Sequence, residues 1–238
     1  MRPNYDEEYV ARLFDEMGPS YDVMNLVSSF GFSEIWRAQC VRNISVHKGA
    51  VVADLMAGSG ECWGYLRRRV QRERKILSVD FSRVMCDRQR RRLQRFVGTN
   101  IVISCENALS LSLSNESVDF VISAFGLKTL DDASLTRLTT EIKRVLRKGG
   151  SCSLLEISVP DAAILRACYM FYIKKIIPSI GRIFLKNIEC YKMLGIYTEA
   201  FRSCVGAAES FRRAGFEVQF KSHFFGCASS IVATKSAG

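Results

Sequence analysis

Residues 51–61 read Val51-Val52-Ala53-Asp54-Leu55-Met56-Ala57-Gly58-Ser59-Gly60-Glu61. An apolar run ends in an acid, a Gly-x-Gly turn follows, and a helical pattern spans Glu61–Gln71. Such a turn between strand and helix lets a ligand approach the backbone, because glycine carries no Cβ and tolerates positive φ. In open α/β sheets the binding crevice lies beyond the carboxyl ends of the strands. No third glycine stands at dinucleotide spacing, so a pyrophosphate cradle is disfavoured and an adenosine without phosphates fits better.

The next strand-like run, Ile76–Asp80, ends in an acid 20 residues after Gly60. A carboxylate at that place accepts hydrogen bonds from a ribose diol. Further runs lie at 101–104, 118–123, 153–157, 216–220 and 230–234, which makes seven strands. Most are continuously apolar, as in strands buried on both faces. Helical patterns follow the first, second and fourth of them. Ser82–Val97 has Ser82 as N-cap, and Ala133–Leu146 runs into Lys148-Gly149-Gly150, read as a C-cap. Alternating strands and helices predict a parallel, doubly wound sheet. The final two strands are joined by only residues 222–229, a link that closes only an antiparallel hairpin.

The length and composition are those of one globular domain, with room for an elaboration. The chain has 238 residues, 48% apolar and 24% charged. Nine cysteines, spread without a C-x-x-C pair, argue against zinc or a disulfide framework and for reduced thiols in a cytoplasmic protein. No metal site is expected. The N-terminal residues carry no signal-peptide pattern. The longest apolar-rich stretch lies between Pro160 and Pro178 and is broken by Arg166, Lys174 and Lys175. It is too short and too charged to span a bilayer. The two prolines are expected to stop it at both ends, leaving an amphipathic lid helix over Asp161–Ile177. The formal net charge is +10. Residues 67–95 hold 12 Lys/Arg against three acids, so nearly all of the excess is one local patch. Such a patch suits an anionic membrane surface or a nucleic acid. Lying behind the turn, it is expected to be separable from cofactor binding, so that neutralising Arg90, Arg91 and Arg92 changes surface association and leaves cofactor affinity nearly intact.

The chain resembles class I S-adenosylmethionine methyltransferases, and within them the ubiquinone/menaquinone biosynthesis C-methyltransferase family. The similarity runs from about Phe14 to Lys235. It rests on Tyr21-Asp22-x-Met24-Asn25, Ser29-Phe30-Gly31, Trp36-Arg37, the Gly58-Ser59-Gly60 turn, Val79-Asp80-Phe81-Ser82, Asn107-Ala108 and Phe125-Gly126-Leu127. It continues in Leu155-Glu156-Ile157-Ser158-x-Pro160, Pro178-x-Ile180-Gly181 and Glu189-x-Tyr191. The resemblance implies a Rossmann-like fold of seven strands, mostly parallel with an antiparallel terminal hairpin. An N-terminal helical cover (about 5–45) and an inserted lid (about 161–205) would complete one domain. It implies S-adenosylmethionine as cofactor. Asp80 would hold the ribose, Phe81 would pack on adenine, and Asn107 and Ala108 would meet the adenine edge. Ala57, Gly58, Ser59 and Gly60 would take the methionine part beside Asp54, Ser123 and Ala124, with Tyr21 closing over the cofactor.

Departures from the family pattern fall mainly on the acceptor side. Trp63 replaces a threonine and would reshape the methionine pocket. Ala124 replaces a serine, and Lys128 replaces an arginine, losing its planar fork. The acceptor is read as a small, aromatic or lipophilic molecule, most simply a demethylated quinol. A general base would then be drawn from Tyr191, Glu189, His223, Lys128 and Asp22, with His223 best placed by its ordinary pKa. O-, N- or S-methylation of another small molecule, an RNA methyltransferase using the basic face, and a non-enzymatic binding protein stay open as alternatives. Nucleic acid is the less favoured partner, since no Asn-Pro-Pro-Tyr-like motif follows strand four. A homodimer and a peripheral contact with an anionic membrane through Arg67–Arg95 are compatible with the reading.

Overall fold

The computed structural model describes residues 3–17, 26, 28–45, 49–69, 75–184 and 189–237. The sequence-predicted strands all form: β1 (Val52–Leu55), β2 (Lys75–Asp80), β3 (Asn100–Cys105), β4 (Val118–Ala124), β5 (Leu146–Ile157), β6 (Phe216–His223) and β7 (Ala228–Lys235). They make one seven-stranded sheet in the order β3-β2-β1-β4-β5-β7-β6. β1 to β5 pair in parallel, and β7 runs antiparallel between β5 and β6. The strand order reverses between β1 and β4. This is the switch point where the carboxyl ends of the strands open a crevice.

Helices α1 (Glu7–Met17), α2 (Phe32–Arg42), α3 (Trp63–Arg69), α4 (Arg83–Leu93) and α5 (Asp132–Val145) precede a helical lid of α6 (Ala163–Phe171), α7 (Ile177–Phe184) and α8 (Glu189–Phe201). Helix α9 (Val205–Arg213) leads into the hairpin. One face of the sheet is sealed by Leu138 and Ile142 of α5 with Ala207 and Phe211 of α9. The other is sealed by Trp36 and Val41 of α2 with Trp63 and Leu66 of α3. A third apolar cluster joins Val10 and Leu13 of α1 to Ile173, Ile177, Tyr191 and Tyr197 of the lid. Apolar residues three apart in α1 therefore clamp the lid rather than the sheet.

Ser82 caps α4 as expected, accepting the Met85 N–H at 3.1 Å. Two local expectations are corrected. Lys148-Gly149-Gly150 is not a helix cap. Helix α5 ends at Val145, Leu146 is already extended, and the glycines fall within β5. There the pairing slips from Val118↔Leu146 to Phe120↔Ser151, and Gly149 takes φ +73° to accommodate the bulge. Pro178 does not stop the lid helix. The chain passes through a π-turn at Tyr172–Ile176 and continues as α7, with Pro178 in its first turn. A proline is tolerated there because its missing N–H is not needed and the π-turn resets the hydrogen-bond register.

Candidate active site

The glycine turn is built by two left-handed residues, Gly58 at φ +56° and Gly60 at φ +83°. Gly60 also needs glycine for space, whereas at Gly58 the neighbour is the movable end of the Glu61 side chain. A Cβ on Gly60 would stand 2.6 Å from the Trp63 ring, and one on Gly58 would stand 2.9 Å from Glu61. Trp63 is therefore not in the methionine pocket, where the sequence placed it. It is fully buried under the turn, donates its indole N–H to Ser78 Oγ at 3.1 Å, and meets Phe96 edge-on at 5.6 Å. A Gly60→Ala substitution is expected to cost roughly 2–4 kcal/mol, combining left-handed strain with overpacking. Urea unfolding measures it, and a loss under about 1 kcal/mol would contradict this account of the turn.

Asp80 braces the turn from β2. Its Oδ2 accepts the Gly58 N–H at 2.8 Å and its Oδ1 accepts the Ser82 N–H at 3.0 Å. Burial pushes this carboxyl up to about 7, although both N–H bonds favour the charged form. Asp54 is buried beneath the turn. Burial and the nearby Glu61 and Asp80 carboxyls hold it well above the carboxylate range, with Arg37 pulling the other way. Its Oδ2 has no hydrogen-bond partner among the described residues.

A narrow cleft of about 60 Å³ runs along this turn. Of the expected cofactor residues, Gly58, Asp80, Phe81, Asn107, Ala108 and Ala124 line it. Ala57, Asp54 and Gly60 belong to the turn and its support without lining the cleft. Ser123 is fully buried. The Ser59 side chain turns away, where Arg92 Nη1 donates to its carbonyl at 3.1 Å and its hydroxyl at 3.0 Å. Tyr21, Asp22 and His47 lie outside the described residues. The cover that the sequence assigned to Tyr21 is supplied in the described chain by Tyr5, Glu7, Val10 and Phe14. Glu7 accepts the Asn107 amide at 2.8 Å, which latches α1 across the cleft.

The arginine patch is consequently not separable as a block. Arg90 and Arg91 are exposed, whereas Arg92 holds the back of the glycine turn. Arg92→Gln is expected to weaken cofactor binding about fivefold, from the loss of about 1 kcal/mol of net hydrogen bonding. The pair Arg90→Gln/Arg91→Gln is expected to leave it unchanged. Isothermal titration distinguishes the two, and equal affinities would remove the assigned role of Arg92.

A second cavity of about 390 Å³ adjoins the cleft and shares Val10, Phe14, Phe125 and Thr129 with it. That is within the range of sites that bury a small ligand, roughly 300–1,000 Å³. Its wall is mostly aromatic and aliphatic, from α1, α2, the lid and Phe224 of the hairpin. Two buried cations face it. Lys128 Nζ donates to Phe125 O at 2.6 Å and to Glu156 Oε1 at 3.1 Å, and Glu156 also accepts the Lys128 and Ile157 N–H groups. Arg37 pairs with Glu34 at 2.6 Å and lies over the Phe125 ring at 5.1 Å. Among the described residues no carboxylate or histidine lines this cavity.

Of the expected acid–base residues, Tyr191 and Lys128 line the cavity. Tyr191 is packed so closely on α7 that a Cβ at Gly181 would fall 2.2 Å from its ring. Glu189 and His223 are not brought to it. Glu189 sits at the exposed start of α8 and accepts the Tyr9 hydroxyl at 2.7 Å. His223 ends β6 and is hydrogen-bonded to Ser230 Oγ at 2.8 Å, with burial and then Lys221 lowering its pKa. Burial likewise raises the Tyr169, Tyr172 and Tyr197 phenols, so they stand protonated at neutral pH. Arg37 and Phe125 are among the lining positions to which sequence reasoning assigned no role. The signal available for Phe125 was the Phe-Gly dipeptide, since its φ of +72° is a strained conformation of the kind that clusters at sites.

Comparison with known proteins bears on this geometry. The profile of the ubiE/COQ5 methyltransferase family matches residues 2–235. The demethylmenaquinone methyltransferase of Lactiplantibacillus plantarum is 33% identical over 230 residues, 96% of either chain. That of Lactococcus lactis is 32% identical over 97% of this chain and 91% of its own. Among solved structures, a methyltransferase from Thermotoga maritima described as a possible histamine N-methyltransferase superposes with a TM-score of 0.62. It is 20% identical and covers 94% of this chain and 99% of its own, a likeness of fold.

Proposed function

Because this chain belongs to the ubiE/COQ5 methyltransferase family and is an S-adenosylmethionine-dependent methyltransferase, we propose that its acceptor is a lipophilic demethylated quinol, methylated at a ring carbon. The observation that carries the reading is the apolar cavity of about 390 Å³ joined to the cofactor cleft and faced by two buried cations. The named substrates of the relatives point the same way.

The residues present fit the cofactor. Asp54 and Asp80 are buried acceptors at a turn whose glycines keep the backbone open to a ligand. Asp80 would hold the ribose diol, Phe81 and Leu109 would flank the adenine, and Gly58 with Ala124 would border the methionine part. Asn107 would be released by Glu7 to meet the adenine edge. The bound cofactor supplies an electrophilic methyl group. The protein's part is position and charge. Val10, Phe14, Phe125 and Thr129 form the boundary across which acceptor and methyl donor meet. The Lys128 ammonium and Arg37 guanidinium favour a phenolate over a phenol at the acceptor ring, since a cation close to an acidic group lowers its pKa by about 1–3 units. The phenolic proton would pass to solvent, the phenolate's neighbouring ring carbon would take the methyl group in an in-line displacement, and that carbon would then give up its own proton to solvent to restore the aromatic ring. The lid and α1 exclude water from that displacement.

The test is methyl transfer from labelled cofactor to a demethylated quinol, a catechol, an amine and a thiol in parallel. Turnover of the quinol, with the label on a ring carbon, supports the reading. Turnover of another class with none on the quinol overturns it. A lipophilic quinol would be met at a membrane surface. Two faces could serve, the arginine face of α3 and α4 and the rim of the acceptor cavity.

A further inference from the structure

Around the rim of the acceptor cavity the fold leaves several large apolar side chains unburied. Ile164 is 83% exposed, Phe171 60%, Phe30 78% and Phe225 81%. Helix α6 has no buried residue. Its inner side gives Leu165, Cys168, Tyr169 and Tyr172 (just past its end) to the cavity wall. Ile164, Ala167 and Phe171 are exposed on the adjoining outer face, spaced at about one and two turns. A helix apolar on both of these faces is not explained by its packing inside the protein.

The other rim elements meet this helix. Phe30 stacks on Tyr172 at 5.5 Å, and the Tyr172 hydroxyl donates to Ser28 O at 3.0 Å. At the hairpin tip Phe224 packs on Phe32 at 4.3 Å and lines the cavity, while Phe225 projects beyond it. A Cβ on Gly226 would lie 3.3 Å from Pro160, so the tip abuts the entry to α6. Phe30, Phe224 and Phe225 all have left-handed backbones, at φ +49°, +43° and +55°. Bulky residues hold that conformation only where the surroundings impose it, commonly at functional sites. Here it turns aromatic rings outward around an entrance.

The charge along the lid is mainly basic, with Asp161 exposed at the entry to α6. Between residues 162 and 188 the sequence has five basic residues and no acid. Lys175 is exposed one turn beyond Phe171, and Arg182 is exposed on α7. Lys174 is taken by Glu199 at 2.6 Å. Among the described residues no helix is long and apolar enough to cross a membrane, so contact with lipid through them would be from the side.

From these observations we propose that the cavity rim, formed by Ile164, Phe171, Phe30 and Phe225 with Lys175 and Arg182, is a docking surface for an anionic lipid bilayer. Apolar side chains enter the headgroup boundary and the cations meet anionic headgroups, the arrangement of interfacial helices. The entrance to the acceptor cavity then faces the lipid, and a lipophilic acceptor passes into it without crossing water. The proposal rests on the quinol reading for its purpose, not for its surface.

The test is co-sedimentation of the full chain with vesicles of phosphatidylcholine alone or with 30% phosphatidylglycerol. The variant is Ile164→Ser/Phe171→Ser/Phe225→Asn, three residues that do not line the cavity. Asparagine suits the left-handed backbone at position 225. The wild type is expected on the anionic vesicles, and the variant is expected to bind at least tenfold more weakly. Its turnover of a water-soluble short-chain quinol is expected within twofold of wild type, while its turnover of a long-chain quinol in vesicles falls at least tenfold. Arg90→Gln/Arg91→Gln is expected to bind vesicles as wild type does. Wild-type protein that ignores anionic vesicles, or a rim variant that binds them normally, overturns the proposal. So does binding abolished by the arginine pair alone, or a rim variant whose sole effect in light scattering is to split a dimer. Vesicle binding without turnover of either quinol would leave the docking surface standing and overturn the function proposed above.

Discussion

Asp80→Asn is expected to weaken cofactor binding by about 10- to 100-fold and to abolish its pH dependence near neutrality. The carboxylate already accepts from Gly58 and Ser82, so its remaining lone pairs are pre-aimed beside the turn. An asparagine turns one acceptor into a donor and sets an N–H against an N–H. A hydrogen bond to a charged group is worth about 1.5–3 kcal/mol, which sets the range. The sign of the pH effect follows from the raised pKa. Without ligand the Asp80 carboxyl titrates at about 7. Ribose hydroxyls donate, so they bind the carboxylate better than the acid, and binding expels a proton when Asp80 is protonated. Affinity should therefore rise with pH by up to tenfold per unit below 7 and level off above about 8. Titration calorimetry in buffers of different ionisation enthalpy should detect proton release in the wild type and none in the variant. Wild-type affinity that is flat from pH 6 to 8 would show that Asp80 does not meet the ribose. Taken alone, the same group adds stability to the ligand-free fold at low pH. That contribution is lost as pH rises through about 7.

Lys128→Met is expected to lower stability by about 3 kcal/mol, because it strands the buried Glu156 carboxylate without its cation. For a chain of this size that is a fall of roughly 6–12 °C in Tm. The double variant Lys128→Met/Glu156→Gln removes both charges and should recover most of the loss. Methyl transfer should nevertheless stay at least 100-fold down in the double variant, because the cation facing the acceptor is still missing. Calorimetry and turnover together divide the roles. Recovery of activity with stability would make the pair structural only, and an unchanged single variant would mean that the Lys128–Glu156 pair does not support the fold.

The sequence by itself determined the sheet and the cofactor turn. Strand runs, Gly58, Gly60 and Asp80 announce themselves because their roles are local. A buried strand must be apolar, a tight turn needs residues that reach positive φ, and an acid at a strand end faces the crevice. The departures were legible as identities but not as effects. Trp63 read as a cofactor neighbour, yet the ring packs beneath Gly60. Arg92 read as part of a surface patch, yet its guanidinium reaches through to Ser59. Which side of an element a side chain faces depends on what packs against it, and that neighbour is distant in sequence.

Lys128, Tyr191 and the lid were expected at the acceptor from the sequence, but the acceptor cavity itself was decided by tertiary structure. Its walls come from α1, α2, the β4 end, the lid and the hairpin tip, and they share no motif or spacing. Phe30-Gly31, Phe125-Gly126 and Phe225-Gly226 look like ordinary turn dipeptides. Only the fold forces each of these phenylalanines to positive φ and gathers them around one entrance. Pro178 shows the same limit from the backbone side. A proline reads as a stop, but a π-turn ahead of it carried the lid helix onward. Local chemistry sets which turns and strands are allowed, and long-range packing sets which surfaces they enclose.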